Sequence, residues 1–209
     1  MRLKLKSLTQ RLAVVHLSLG VLLCAPPAHA QPERDEQASA NRVAPSVYLD
    51  PLGFALFGPR LGVDVALGQV SVGASVRWFD MGLLSRQLFV DEPSKFAFSY
   101  GAALRGRYSF ANDRRGVHAG LALEYLRTRV EDESAGIATI QSYAVPTAQI
   151  GYRFGMGRFY ADLDGALGYA ARLSGRVEAI RANVSATDYA AVDESSPYAS
   201  AALELGVEF

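Results

Sequence analysis

From Ser46 onward, apolar and polar residues alternate in runs separated by turn residues, and almost no stretch carries a convincing helical period. A period of two marks strands, because successive side chains leave the pleat on opposite faces. The pattern predicts eight of them: Ser46–Phe57, Pro59–Leu67, Val70–Phe79, Phe96–Phe110, Val117–Glu131, Thr139–Phe154, Arg158–Ser174 and Ser196–Phe209. The expected fold is all-β, an eight-stranded antiparallel up-and-down transmembrane β-barrel, since single-chain bacterial barrels close with an even strand number.

The fourth run shows which face is which. Phe96, Phe98, Tyr100, Ala102, Leu104, Tyr108 and Phe110 share one parity, while Ala97, Ser99, Gly101, Ala103, Arg105, Arg107 and Ser109 share the other. An arginine on the lipid face costs about 2–4 kcal/mol at the bilayer midplane, so the arginine face is assigned to the interior. The same test places Asp64, Arg77, Glu124, Arg153, Asp162, Asp164, Glu204 and Glu208 inside, and Val63, Val65, Val72, Val76, Trp78, Leu121, Leu123, Leu163 and Leu167 outside. A soluble sandwich also alternates, with the faces reversed. Length separates the two: a membrane strand needs about 9–11 residues, whereas strands of globular proteins cluster near five or six. Pro51 blurs the first run and leaves its parity unassigned; Pro146, in the middle of the sixth, predicts a bulge.

Connections alternate short and long. Gly68-Gln69, Ala111–Gly116 and Gly155–Gly157 are expected as periplasmic turns, and Gly58, Asp80–Lys95, Asp132–Ala138 and Gly175–Ser195 as outer loops. Tyr108, Phe110, Tyr152, Phe154, Phe159 and Phe209 gather at the turn ends, as an interfacial aromatic girdle does. The loop 80–95 is rich in apolar residues, and Val177, Ile180 and Val184 stand at near-helical spacing in the loop 175–195. Either loop is expected to pack over the mouth as a lid or to contact a partner.

The final run, Tyr198 to Phe209, alternates up to the last residue and ends on an aromatic. It resembles the C-terminal strand of bacterial outer-membrane barrels, where a terminal Phe is read by the barrel-assembly machinery; the resemblance implies that Phe209 is an assembly signal. Across residues 46–209 the chain resembles the small OmpA-like, OmpX-like and OmpW-like barrels. That likeness is architectural and implies a fold more than an activity.

Residues 1–30 read as a secretory signal peptide: Arg2, Lys4, Lys6 and Arg11, then the apolar run Leu12–Ala25, then Ala28-His29-Ala30 ahead of Gln31. Residues 31–45 are expected to be a flexible periplasmic leader and 46–209 the barrel. Leu23 before Cys24 argues against lipoprotein processing. Loss of residues 1–30 removes the single cysteine, so no disulfide is expected. The 21 basic and 21 acidic residues cancel over the whole chain; with four basic residues in the first 30, the remainder holds 17 basic against 21 acidic. That balance carries no nucleic-acid footprint.

Candidate chemistry is sparse, and no cofactor or metal is expected. His118 is the one histidine beyond residue 30, at a turn end, far from where a surface acylase or protease needs it. Asp162 and Asp164 share a face at a spacing that suits acid and base work on a glycosidic bond, but an eight-stranded interior is only wide enough for side chains to fill. Asp64, Arg77, Arg105, Arg107, Glu124, Arg153, Asp162, Asp164 and Glu204 are therefore expected to form an ionic plug. Arg127 and Arg129, outward and beyond the apolar band, suit lipopolysaccharide phosphates or a solvated strand extension. The function expected is non-enzymatic, structural or surface-interacting, with outer-membrane lipid, lipopolysaccharide and the assembly machinery as partners. The alternatives are a narrow transporter of small hydrophobic molecules with a lateral opening, for which a bulge at Pro146 is the cue, and a lipid-modifying enzyme.

Overall fold

The computed structural model describes residues 43–54, 58–79, 94–132, 134–181 and 195–209. Eight strands run β1 Val43–Asp50, β2 Arg60–Leu67, β3 Val70–Phe79, β4 Ser94–Ser109, β5 Gly116–Asp132, β6 Ile137–Met156, β7 Phe159–Ala179 and β8 Ser196–Glu208. Each pairs antiparallel with its neighbours in sequence, and β1 pairs with β8, so the sheet closes into a barrel. The signal-peptide, leader and loop readings over 1–42, 80–93 and 182–194 lie outside the described residues.

The faces are inverted relative to a soluble protein. Outward residues include Leu104, Leu121, Leu123, Val72, Leu167 and Val63, with Leu121 70% exposed. Inward residues are charged and buried, Asp162 and Glu204 at 0% exposure. β1 now has a parity: Ala44, Ser46, Tyr48 and Asp50 face in, while Val43, Val47 and Leu49 face out. Pro51 had masked it because the strand ends one residue earlier. Pro51–Phe54 is a 3₁₀ turn, with the Gly53 N–H donating to Asp50 Oδ1 at 3.2 Å.

Three boundaries differ from the sequence reading. β1 starts at Val43, inside the stretch read as leader; Pro45 fits there because it faces out near the closing seam and its carbonyl accepts from the Phe209 N–H at 2.9 Å. The turn between β5 and β6 is shorter than expected, since Asp132 folds it by accepting from Ser134 Oγ at 2.6 Å and from the Ser134 and Ala135 N–H groups. Those donors, the Ser134 hydroxyl foremost, hold the Asp132 carboxyl below the usual carboxylate range. β7 continues to Ala179, so Val177 is in a strand and not in a surface helix. β4 to β7 consequently rise beyond the rest of the barrel.

Pro146 does not shift the register. β6 stays in step with β5 through Leu123↔Pro146 and with β7 on either side, at Ala144↔Ala171 and Thr147↔Gly168. The register shift falls between Ser142 and Tyr143, where Leu173 is the extra residue on β7. A proline has no N–H to give, and the ladder to β7 lapses over Val145 and Pro146. The strands stay together because Gly168 lets the Pro146 carbonyl in: a Cβ on Gly168 would collide with that oxygen.

Gly168→Ala is therefore expected to lower stability by about 1–3 kcal/mol. Gly165→Ala, whose added Cβ meets nothing closer than 3.9 Å, is expected to stay within about 0.5 kcal/mol. Urea unfolding of the refolded protein in detergent compares the two, and equal midpoints would refute this account of the seam.

Candidate functional site: the charged lumen

The lumen is built from side chains that pairing brings to common heights. Tyr160 on β7 pairs with Gly206 on β8, Gly206 with Tyr48 on β1, and Tyr48 with Gly62 on β2. Large and small residues thus alternate across four of the eight strands. Each tyrosine lies across its glycine neighbour, Tyr160 over Gly206 and Tyr48 over Gly62, where any Cβ would clash with the ring. Each ring then carries a guanidinium: Arg153 sits 3.9 Å from the Tyr160 centroid and Arg105 4.1 Å from that of Tyr48.

The arginines bind carboxylates from across the barrel. Arg105 grips Asp64 through Nε at 3.0 Å and Nη2 at 2.6 Å, and reaches Glu204 at 2.5 Å through Nη1. Arg107 donates to Asp64 at 2.6 Å, Asp162 at 3.0 Å and Glu204 at 3.4 Å. Arg153 holds Asp162 with a two-point fork, 2.7 and 2.6 Å. Nearer the loop end, Arg77 contacts Glu124 at 3.1 Å through Nε. The sequence reading missed three contributors here. Arg60 approaches Glu124 at 3.8 Å and Glu204 at 4.0 Å; it shares parity with Asp64, which was the available signal. Asp50 caps the Leu203 N–H at 3.2 Å. Arg114 crosses the turn end from the β4–β5 connection to pair with Glu208 on β8; its left-handed backbone, φ 60°, left no trace in the sequence.

His118 faces in and is buried, with Nε2 2.7 Å from Asp164 Oδ1. The row His118, Gly151, Asp164 spans β5, β6 and β7, and the missing Gly151 side chain provides the space in which the other two meet. Asp162 and Asp164 are not a free carboxylate pair: guanidiniums occupy the first and the imidazole the second. Two interior cavities of about 10 Å³ each, one near His118 and one near Arg60, are about the size of a single water.

On the outer face above the barrel, Arg129, Ile140 and Arg176 form one cross-strand row and Glu131, Ala138 and Glu178 the next. Arg129 bonds Glu131 at 3.0 Å and Glu178 at 3.3 Å, and Arg176 bonds Glu178 at 2.8 Å. The charge of Arg129 is thus already answered within the sheet. Arg127 contacts Tyr100 Oη at 3.4 Å. Phe209 exposes its ring on the outer face at the turn end.

No protein-family model and no curated protein matches the chain. A solved structure, that of Neisserial surface protein A, is similar at 14% identity, covering 79% of this chain and 93% of that one, with a TM-score of 0.47.

Glu204 touches Arg105 and Arg107 directly, so Glu204→Gln removes one of the anions that these buried guanidiniums share with Asp64 and Asp162 and is expected to cost about 3–5 kcal/mol. Glu208→Gln, at the rim, is expected to cost about 1 kcal/mol or less. Urea unfolding in detergent measures both; a Glu204 variant as stable as the parent would show that the network does not hold the barrel.

Proposed function

We propose that the protein is an outer-membrane β-barrel with a structural or surface-interaction role and a lumen closed by its ionic network, acting without catalysis. The observation that carries this reading is the inverted barrel: an apolar belt outside and paired charges inside. Aromatic residues border the belt at both ends. Tyr108, Phe110, Tyr152, Phe154, Phe159 and Phe209 lie at the turn end, and Trp78, Tyr100, Tyr125 and Tyr169 toward the loop end. From Tyr100 to Tyr108 along β4, a rise of ~3.3 Å per residue at a tilt near 40° gives a height of roughly 20 Å, close to the apolar band of roughly 25 Å on membrane barrels. Closure of the sheet pairs most of the polar backbone in that layer.

The periplasmic side is then the turn end, where β1 begins and β8 ends, and the surface function lies with the extended β4–β7 sheet and its loops. Arg127 stands outward beside Tyr100 and Tyr125, just above the belt, and is the residue we assign to lipopolysaccharide phosphate. A transport path is supported less, because the register runs unbroken past Pro146 and arginine pairs fill the lumen.

Leu104→Arg places a charge in mid-belt and is expected to cost about 2–4 kcal/mol of membrane stability. Fractionation with heated and unheated gels reads it: the parent runs as a heat-modifiable outer-membrane band and the variant folds in lower yield. A parent protein found soluble in the periplasm would overturn the assignment, and stable, large single-channel conductance would overturn the closed lumen. Arg127→Gln is expected to reduce lipopolysaccharide retained on purification while Arg129→Gln leaves it unchanged; equal retention in both variants would remove the phosphate contact.

A further inference from the structure

The barrel closes low and leaves its wall incomplete toward the loop end. β1 and β8 pair only from Ser46 to Leu49 against Glu208 to Leu205, and β1 stops at Asp50, where the chain leaves through the 3₁₀ turn. β2 begins at Arg60 and pairs with β3 no higher than Arg77. β8 runs on to Ser196, bonded to β7 alone. Among the described residues, no strand stands beside the upper part of β8. On the lumen side, Arg77 of β3 donates to Tyr198 Oη of β8 at 3.5 Å and spans the gap from within. On the outer side, Trp78 of β3 and Ala199 of β8 are exposed.

The free edge has a definite polarity. The Phe209 N–H donates to the Pro45 carbonyl and the Leu203 N–H to Asp50 Oδ1, whereas the Glu208 N–H turns the other way, to Arg158. Odd-numbered residues of β8 therefore point their backbone N–H and C=O at the gap, and even-numbered ones at β7. Asp50 serves Leu203. Next come Ala201 and Ala199, then Pro197, which has no N–H to offer and suits an edge for that reason. Pro197 pairs with Tyr169 of the loop-end girdle and Ala199 with Leu167. At ~3.3 Å per residue and a tilt near 40°, the two alanines lie roughly 5 and 10 Å below that girdle, in a layer where an amide without a partner is costly. We infer that the gap seats one outer-leaflet lipid, whose acyl linkage bonds the backbone of Ala199 and Ala201 through an amide or hydroxyl group. The inference rests on the outer-membrane reading above. A strand edge offers donors and acceptors in turn, so its partner needs both. The esters of a glycerophospholipid only accept, whereas the amide-linked hydroxyacyl chains of lipid A donate and accept. Those groups hang just below the headgroup level that the girdle marks, which is the depth of the two alanines.

Amide NMR of the refolded protein in detergent tests this, with lipid A and dimyristoylphosphatidylcholine as probes. In detergent alone, the Ala199 and Ala201 amides are expected to exchange faster than the β7-facing amides of Ser200 and Ala202. They are then expected to shift saturably with lipid A and not with the phospholipid. A199P removes one donor without touching the β7 ladder and is expected to bind lipid A about tenfold more weakly, read at Ala201, as the loss of one hydrogen bond implies. Should that variant fail to fold, the titration of the parent decides alone. Protection of Ala199 and Ala201 in detergent equal to that of Ser200 and Ala202 would show that the chain covers its own edge. Equal responses to the two lipids, no response to either, or undiminished binding in A199P would reduce the gap to ordinary belt surface. Each of these outcomes overturns the lipid seat, while a heat-modifiable outer-membrane band for the parent leaves the barrel reading standing.

Discussion

The constraint on which this barrel depends is that about a dozen ionised groups share a lumen with little water in it. Isolated, each would be expensive to bury, and a pair is repaid only when its geometry is good and its remaining donors and acceptors are used. The fold meets this largely by dealing cations and anions to different strands, although β2 carries both Arg60 and Asp64. Arg105 and Arg107 are on β4, Arg77 on β3 and Arg153 on β6, while Asp64 is on β2, Asp162 and Asp164 on β7 and Glu204 on β8. Arg153 and Asp162 meet within the β6–β7 hairpin, but Arg105 and Arg107 take their carboxylates from strands outside their own hairpins. Arg105 and Arg107 reach Glu204 only when β8 has joined, so the last strand completes the wall and the lumen together.

That coupling matters because the closing seam is short. β1 and β8 share four register pairs, Ser46 to Leu49 against Glu208 to Leu205, helped by the Phe209 N–H on Pro45 and the Leu203 N–H on Asp50. The lumen reinforces the same place. Tyr48 of β1 lies between glycines of β2 and β8 and carries Arg105 on its ring. Side chains thereby hold a seam whose backbone ladder is shorter than any other in the barrel.

Much of this was legible in the sequence, for a physical reason. In a membrane barrel, the two faces of a strand meet solvents as different as lipid and a charged interior, so parity along β4 or β7 carries a large energy difference. Where that contrast weakens, the reading failed. β1 has few charges and ends beside Pro51, so neither its parity nor its start at Val43 could be read. Gly175 to Ala179 look like a polar loop because, above the lipid, nothing distinguishes a solvated strand from one. Which acid meets which arginine was also hidden, since partners such as Arg105 and Glu204 are 99 residues apart and only closure sets their heights. Tyr48, Tyr160 and their glycine seats were overlooked as ordinary alternation, although an inward aromatic opposite an inward glycine is itself a packing signal.

The outer extension applies the same chemistry to a different end. In the lumen, pairing of arginine with carboxylate removes the penalty of burial. Above the belt, Arg129, Arg176, Glu131 and Glu178 pair on a face open to solvent, where each contact is worth little by itself. Their side chains lie in the cross-strand rows of Ala138 and Ile140, which are buried, and long arginine stems cover apolar surface well. The rows stiffen the extended sheet where the closed barrel no longer supports it, and they consume the charge of Arg129 in doing so. Arg127, one step lower and without a carboxylate in its cross-strand row, is not drawn into those pairs.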